Sequence, residues 1–410
     1  MVRSGETAEM SFGEYRIEQE GSREMFPNSV PFGSFQNPVR LIFKPGALSE
    51  LPGLIDAGET PLIVTDPGIE KAGILDRVCG VLDEAGVRYA VFAKVESDPS
   101  VETVEAAAAF YRERECGPVI GLGGGSCMDA AKGIAVVVST GQGIRAFRQG
   151  PIEAPVVPVI AIPTTAGTGS EVTGVMVISD LQEKVKMVLR GPSLFPKIGI
   201  LDATLLEGIP PRIAAATGSD AFVHAIEAYL SRKSTAITDA LALEAVRLLA
   251  SHVRKVVADG RDQPALHAML MGSCMAGLAF SNAGLGLVHA LAHPVGAFYH
   301  VPHGVCCGLF LEPVLRFNLP VCAEKLARLA VPLGLDTGRE NAVSGAKRVI
   351  ENLAEIFEEI GIPKNLRELG IPDFQVNDAM LDDAMGAVPR SLNIRQSGRE
   401  ELRALFESVR

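Results

Sequence analysis

The chain has 410 residues, enough for two or three domains at roughly 100–200 residues each. Hydrophobic residues make up 47% and charged residues 21%, which excludes a largely disordered chain. With 38 basic against 49 acidic residues the formal charge is −11, so the surface repels phosphate backbones and nucleic acid is excluded as a main partner. Apolar runs such as Gly133–Val138 fall far short of the ~18 residues a membrane span needs, so no membrane partner is expected.

Residues 1–35 are polar and carry Glu6, Glu9, Glu14, Glu18, Glu20 and Glu24. They lack the apolar stretch of a secretory signal and are too acidic for a mitochondrial presequence, so they read as an N-terminal extension. From there the chain alternates. Pro61-Leu-Ile-Val-Thr65 is a strand ending at the turn Asp66-Pro67-Gly68, and a helix follows from Ile69 to about Ala85. Tyr89–Ala93 is a strand and Val101 to about Arg114 a helix. Pro118–Leu122 is a third strand, Ser126 to about Val138 its helix, and Pro158–Ile162 a fourth strand. Such alternation means parallel βαβ units, whose strands are covered on both faces and so read as unbroken Val/Ile runs. Near Asp202–Pro211 the pattern changes. Ile213–Leu230, Thr238–Ala258, Gln263–Ala279, Leu285–Tyr299, Arg348–Ile360 and Arg399–Ser408 have helical periodicity. The expected fold is therefore α/β plus all-α: an α/β domain with a parallel sheet over 36–207 and a helical domain over 208–410.

Gly121-Leu-Gly-Gly-Gly125-Ser126 lies between a strand and a helix, where glycines let backbone approach a pyrophosphate and the helix N-terminus offers free N–H groups. Asp129 and Lys132 stand on the first turns of that helix. A second small-residue loop, Pro163-Thr-Thr-Ala-Gly-Thr-Gly-Ser170, follows the next strand and would face the same crevice. Asp66, at a strand end, could hold ribose hydroxyls and repel a 2′-phosphate; the plainer reading is a residue that starts a turn.

All seven histidines lie between His224 and His303. Asp220 and His224 are spaced i, i+4, so on a helix they share a face and make half a metal site; capping by Thr217-x-x-Asp220 and a buried core histidine are the plainer alternatives. His289, His293, His300 and His303 fall within fifteen residues. The residue after His289 is Ala290, so this is not the HExxH of metalloproteases. Spacing leaves open whether His289 or His293 is a ligand and whether the ion is Fe(II) or Zn(II). Cys306 and Cys307 read as packed thiols. The seven cysteines are scattered without a CxxC pair, which points to a reducing cytoplasm.

Four segments carry a resemblance: Gly123–Lys132, Pro163–Thr173, Gly218–Tyr229 and Leu287–Gly304. Their order and spacing resemble the iron-containing (group III) alcohol dehydrogenases from about Val39 to about Ile371. The resemblance implies an N-terminal nucleotide-binding α/β domain, a C-terminal helical metal-binding domain and an active site in the cleft between them. It implies a divalent metal, usually iron, on Asp220, His224, His289 and His303, with His293 a catalytic histidine near the nicotinamide. It implies pyrophosphate on Gly124, Gly125 and Ser126, further cofactor contacts on Thr164, Thr165, Thr168 and Lys186, and an NAD preference set by Asp66, with NADP the lesser cofactor. Asp98 departs from the Asn that many members carry near the cofactor, and the tail from Asn393 onward lacks the family's proline-rich ending.

The activity so implied is hydride transfer between nicotinamide and a small alcohol or aldehyde, aided by metal Lewis acidity. The competing expectation is a non-redox lyase or synthase on the related dehydroquinate-synthase-like scaffold. It is disfavoured because 217–230 and 285–304 contain no Lys or Arg to hold an anionic substrate. The chain is expected to act in the cytoplasm as a homo-oligomer, a dimer or larger.

Overall fold

The computed structural model describes residues 33–183, 185–336, 338 and 340–410; nearly all of the expected extension, 1–35, lies outside them. The N-terminal half contains β1 (Arg40–Phe43), β2 (Leu62–Val64), α1 (Pro67–Lys71), α2 (Ile74–Glu84), β3 (Ala90–Phe92), α3 (Val101–Glu113), β4 (Val119–Gly123), α4 (Gly125–Thr140) and β5 (Val159–Pro163). A hairpin of β6 (Val175–Asp180) and β7 (Val185–Arg190) follows, then β8 (Ile198–Leu201).

Six of these strands form one parallel sheet in the order β1-β8-β5-β4-β2-β3, while β6 and β7 pair antiparallel on their own. The sheet is covered on both faces, as the unbroken apolar runs require. Leu62, Val64, Val119 and Val159 pack with Val104, Ala107, Ala131 and Ile134 of α3 and α4. Ile63, Ile120, Leu122, Ile160 and Ile162 point the other way, toward Leu75, Val78 and Leu82 of α2 and a core shared with the helical half. Each such buried aliphatic side chain contributes about 1.5–3 kcal/mol relative to exposure.

The chain runs outward from β2 to β3 and returns to lay β4 on the other side of β2. That reversal makes the β2/β4 boundary a topological switch point, where crevices open at the carboxyl ends of strands.

Asp202 closes the sheet half. Its carboxylate accepts from the N–H groups of Gly46 (3.1 Å), Leu48 (3.0 Å) and Thr204 (3.1 Å). The helical half then begins at Pro211, whose missing N–H is no loss at a helix start. It comprises α5 (Pro211–Leu230), α6 (Ala236–Ala258), α7 (Gln263–Ala283), α8 (Leu287–Tyr299), α9 (His303–Ala327), α10 (Ala342–Glu359), α11 (Asp378–Gly386), α12 (Val388–Leu392) and α13 (Arg399–Ser408). By length and composition α7 and α9 could each cross a bilayer, contrary to the reading of apolar runs. Most of each is instead buried in the helical core, with Leu266, Met269, Leu270 and Cys274 from one and Phe310, Leu311, Val314 and Leu315 from the other.

Candidate active site

Three neighbouring strand ends supply the sheet side of the crevice. Asp66 follows β2, the glycine turn follows β4, and the 163–170 loop follows β5. The two loops touch. The Thr164 N–H donates to the Gly123 carbonyl at 3.0 Å. A Cβ on Gly125 would stand 2.8 Å from Thr168 Cγ2, so the first residue of α4 must be glycine for the loops to meet. Thr165 Oγ1 lies beside Gly124. The Thr164 hydroxyl is buried and takes no partner among the described residues, which leaves it free for a bound ligand.

Other expected cofactor residues are already engaged. Asp66 caps α1 through Oδ1, which accepts from Gly68 N at 2.7 Å and Ile69 N at 3.0 Å, so the turn-starting reading holds. Its Oδ2 meanwhile turns toward the glycine turn and accepts from Cys127 Sγ at 3.3 Å. The Ser126 hydroxyl donates to the Ser97 carbonyl. Lys186 pairs with Asp98 at 2.7 Å across the crevice mouth, so the family's departure at 98 supplies the partner of an expected cofactor lysine.

Asp129 departs from expectation. Its carboxylate accepts from the Ser170 hydroxyl (2.7 Å) and Val177 N–H (2.8 Å) instead of facing the crevice. Lys132, fully buried, donates to Ser170 O (2.8 Å), Ser170 Oγ (2.7 Å), Thr173 O (3.1 Å) and Val175 O (2.8 Å). Burial lowers its pKa to about 8 despite Asp129 and Glu171 nearby. The pair fastens the second loop and the hairpin to α4.

The helical side brings the histidines together. Thr217 does not cap α5; it lies inside the helix and returns its hydroxyl to Ile213 O at 2.9 Å. Asp220 is therefore mid-helix and buried, and its Oδ1 has no hydrogen-bond partner among the described residues. Around that oxygen stand His303 Nε2 at 3.5 Å, His224 Nε2 at 3.6 Å and His289 Nε2 at 3.8 Å.

Both buried imidazoles are fixed from behind. His224 Nδ1 lies 3.1 Å from the Gly167 carbonyl and His289 Nδ1 lies 2.7 Å from Glu227 Oε2. With Nδ1 protonated against those acceptors, each Nε2 presents a lone pair to Asp220.

Burial lowers the pKa of His224 and brings that of His289 down to about 3. His303 is lowered too, first by the surrounding protein and then by His289, His293 and His224, although its side chain is 42% exposed. Three neutral imidazoles around an orphaned carboxylate oxygen fit a divalent cation, which would satisfy that oxygen without displacing ring protons.

The sequence suggests only a packed thiol at Cys307. Its Sγ nevertheless lies 3.6 Å from His303 Nε2 and 3.8 Å from His289 Nε2, and with Asp220 it completes a tight four-donor cluster. Burial pushes its thiol up, and the neighbouring Asp220 carboxylate pushes further, so the thiol packs protonated against the donors.

His293 stands apart from the cluster. Its ring is 5.9 Å from that of His289, edge-on, and 5.4 Å from that of His303. Pro294 does not end the helix, since α8 continues to Tyr299 and stops at His300, which is left-handed at φ 55°. Burial brings His293 down to about 3, assisted by His289 and by the charges of Lys186 and Arg190. The two helical motifs suggest a cleft without cations. The hairpin brings Lys186 and Arg190 toward His293 from the other half.

Residues 38–203 match the family described as iron-containing alcohol dehydrogenase, and residues 214–409 match the C-terminal part of the Fe-containing alcohol dehydrogenase family. The chain belongs to the iron-containing alcohol dehydrogenase family. It is an oxidoreductase acting on alcohols, and the lyase alternative falls away. The NAD-dependent methanol dehydrogenase of Bacillus methanolicus is 38% identical over 313 residues, 76% of this chain and 82% of that protein. The 1,3-propanediol dehydrogenase of Klebsiella pneumoniae is 36% identical over 393 residues, covering 95% of this chain and 100% of its own length. Among solved structures, the alcohol dehydrogenase from Oenococcus oeni superposes with a TM-score of 0.88 at 33% identity, over 92% of this chain and 100% of that one.

Proposed function

We propose that the chain is a divalent-metal-dependent alcohol dehydrogenase and aldehyde reductase that prefers NAD and acts on a short, uncharged alcohol or aldehyde. In this reading residues 36–207 carry the dinucleotide and 208–410 carry the metal. The observation that supports it best is the buried, unpartnered Asp220 Oδ1, ringed by Nε2 of His224, His289 and His303. When bound, the metal supplies Lewis acidity to the substrate oxygen and the nicotinamide supplies the hydride acceptor or donor.

The protein's own groups do the rest. Asp220, His224, His289 and His303 hold the ion. The Gly124–Ser126 turn, at the positive end of α4, takes the pyrophosphate, with Thr164, Thr165, Thr168 and Lys186 around it. Asp66 receives the ribose hydroxyls and its charge disfavours a 2′-phosphate. His293, neutral and beside the ligand set, accepts or returns the hydroxyl proton. Lys186 is paired with Asp98, which offsets one of the two cations the hairpin brings toward His293 and supports an uncharged substrate.

One of the two edges of the sheet is β1, with Phe43 55% exposed on it. Such an edge with an apolar side chain supports a homo-oligomer, and seven free cysteines support a reducing cytoplasm. The test is NADH consumption across short neutral aldehydes and their carboxylated or phosphorylated counterparts. The reading expects turnover of the neutral set; turnover confined to the charged set overturns it.

A further inference from the structure

Glu227 belongs to none of the groups so far given a role in metal or cofactor binding. It is buried on α5, three residues after His224 and seven after Asp220, and so lies on the same helix face. Its two carboxylate oxygens are divided between two tasks on α8. Oε1 accepts from the Val288 N–H at 2.6 Å, and Oε2 faces His289 Nδ1 at 2.7 Å.

The start of α8 is shaped around this carboxylate. A Cβ on Gly286 would sit 2.9 Å from Glu227 Oε1 and 3.2 Å from Asn393 Oδ1. Asn393 accepts from Asn318 Nδ2 at 3.1 Å and lies 3.4 Å from the Leu287 N–H. The C-terminal tail and α9 thus wall the carboxylate in beside the first turn of α8. Burial raises its pKa to about 7, while the N–H groups at the start of α8 pull the other way and favour its negative charge.

We infer that Glu227 is a positioning residue: by accepting from His289 Nδ1 and Val288 N it fixes the imidazole tautomer and the register of α8, so that His289 Nε2 faces Asp220. The inference rests on the reading of Asp220, His224, His289 and His303 as metal ligands. Without the carboxylate, the imidazole is free to carry its proton on Nε2, where a metal cannot bind. A glutamine in its place keeps the volume but cannot serve both contacts. If its oxygen accepts from Val288 N–H, its NH2 faces Nδ1 and favours the wrong tautomer. If the oxygen accepts from Nδ1–H, two donors face each other at Val288.

The test titrates full-length apo protein, wild type and Glu227→Gln, with Co(II) and follows the d–d absorption, with thermal unfolding of both apo proteins alongside. The expected result is one Co(II) per wild-type chain and, in the variant, affinity about 10–100-fold weaker with altered band intensity, while apo melting is unchanged. Equal affinity and equal spectra overturn the inference. A wild type that takes up no Co(II) overturns the ligand reading itself, and this inference with it. Should Glu227→Gln also lower apo melting or fail to fold, the 15N shifts of His289 in wild-type apo protein decide: an Nδ1–H tautomer supports the role, and an Nε2–H tautomer overturns it.

Discussion

His224 Nδ1 lies 3.1 Å from the backbone carbonyl of Gly167. His224 belongs to the helical half, whereas Gly167 sits in the Thr-rich loop after β5, among the residues assigned to the cofactor. One hydrogen bond therefore joins the imidazole that faces Asp220 to the loop proposed to face the dinucleotide. A Cβ on Gly167 would stand 2.7 Å from Thr217 Cβ and 2.9 Å from Thr217 O, so Gly167→Ala must shift the loop off α5. Both halves of the site should suffer together: weaker metal retention, and NADH affinity lower by about tenfold or more. Metal analysis and NADH fluorescence titration check this. A variant that loses only one of the two properties would show the halves to be uncoupled.

Asp66 caps α1 and is proposed to receive the ribose hydroxyls, two roles that a single substitution separates. As the cap of α1 it accepts from Gly68 and Ile69, and glycine at a cap position costs only a few tenths of a kcal/mol. Asp66→Gly should therefore melt close to wild type while its preference for NAD over NADP relaxes. The ratio of kcat/KM for the two cofactors reads the effect. A wild-type enzyme that already favours NADPH would refute the role given to this carboxylate.

The βαβ half was legible because its strands are buried on both faces, as the runs at Leu62–Val64 and Val159–Pro163 show. The hairpin strand Val185–Arg190 alternates between buried and exposed residues, and its basic side chains hid it among loops. Helix α9 escaped because Pro313 and Pro320 lie within it; the backbone leaves helical geometry at Cys322. The Asp220/His224 pair stood out by its i, i+4 spacing, whereas the choice of His289 over His293, and the inclusion of His303, came from the family resemblance. The Gly167 carbonyl was not, since a backbone acceptor leaves no signature in residue type. Glu227 did leave one, seven positions after Asp220, but the spacing alone does not reveal that the start of α8 lies against it.

His293 sits beside His289 and His303, outside the cluster around Asp220. His293→Ala should keep its metal and lose roughly 10²–10⁴-fold in kcat if general acid–base transfer runs through it, with a changed pH–rate profile. Metal analysis beside steady-state kinetics across pH separates the outcomes. An unchanged kcat and profile, or loss of the ion, would exclude proton handling at this position.

Glu171 is buried beside the loop that Lys132 and Asp129 fasten, and its Oε1 has no partner among the described residues. Burial raises its pKa to about 7, with Lys132 pulling the other way. Its folded pKa thus exceeds the ordinary 4.5. The folded chain then holds a proton that the unfolded chain has released, so stability falls as pH rises from about 4.5 to about 7 and levels off above. Glu171→Gln removes that loss. Its melting temperature relative to wild type should climb between pH 5 and pH 8, roughly flat at the extremes. A difference independent of pH would contradict the assignment.

The central claim is that Asp220, His224, His289 and His303 hold one divalent ion on which turnover depends. Metal stoichiometry and NADH-linked aldehyde reduction, measured on the same oxygen-free preparations of wild type, His224→Ala and His303→Ala, test it most directly. The account predicts about one ion per wild-type chain, and folded variants that lose ion and activity together. Either variant retaining stoichiometric metal and normal turnover would contradict it.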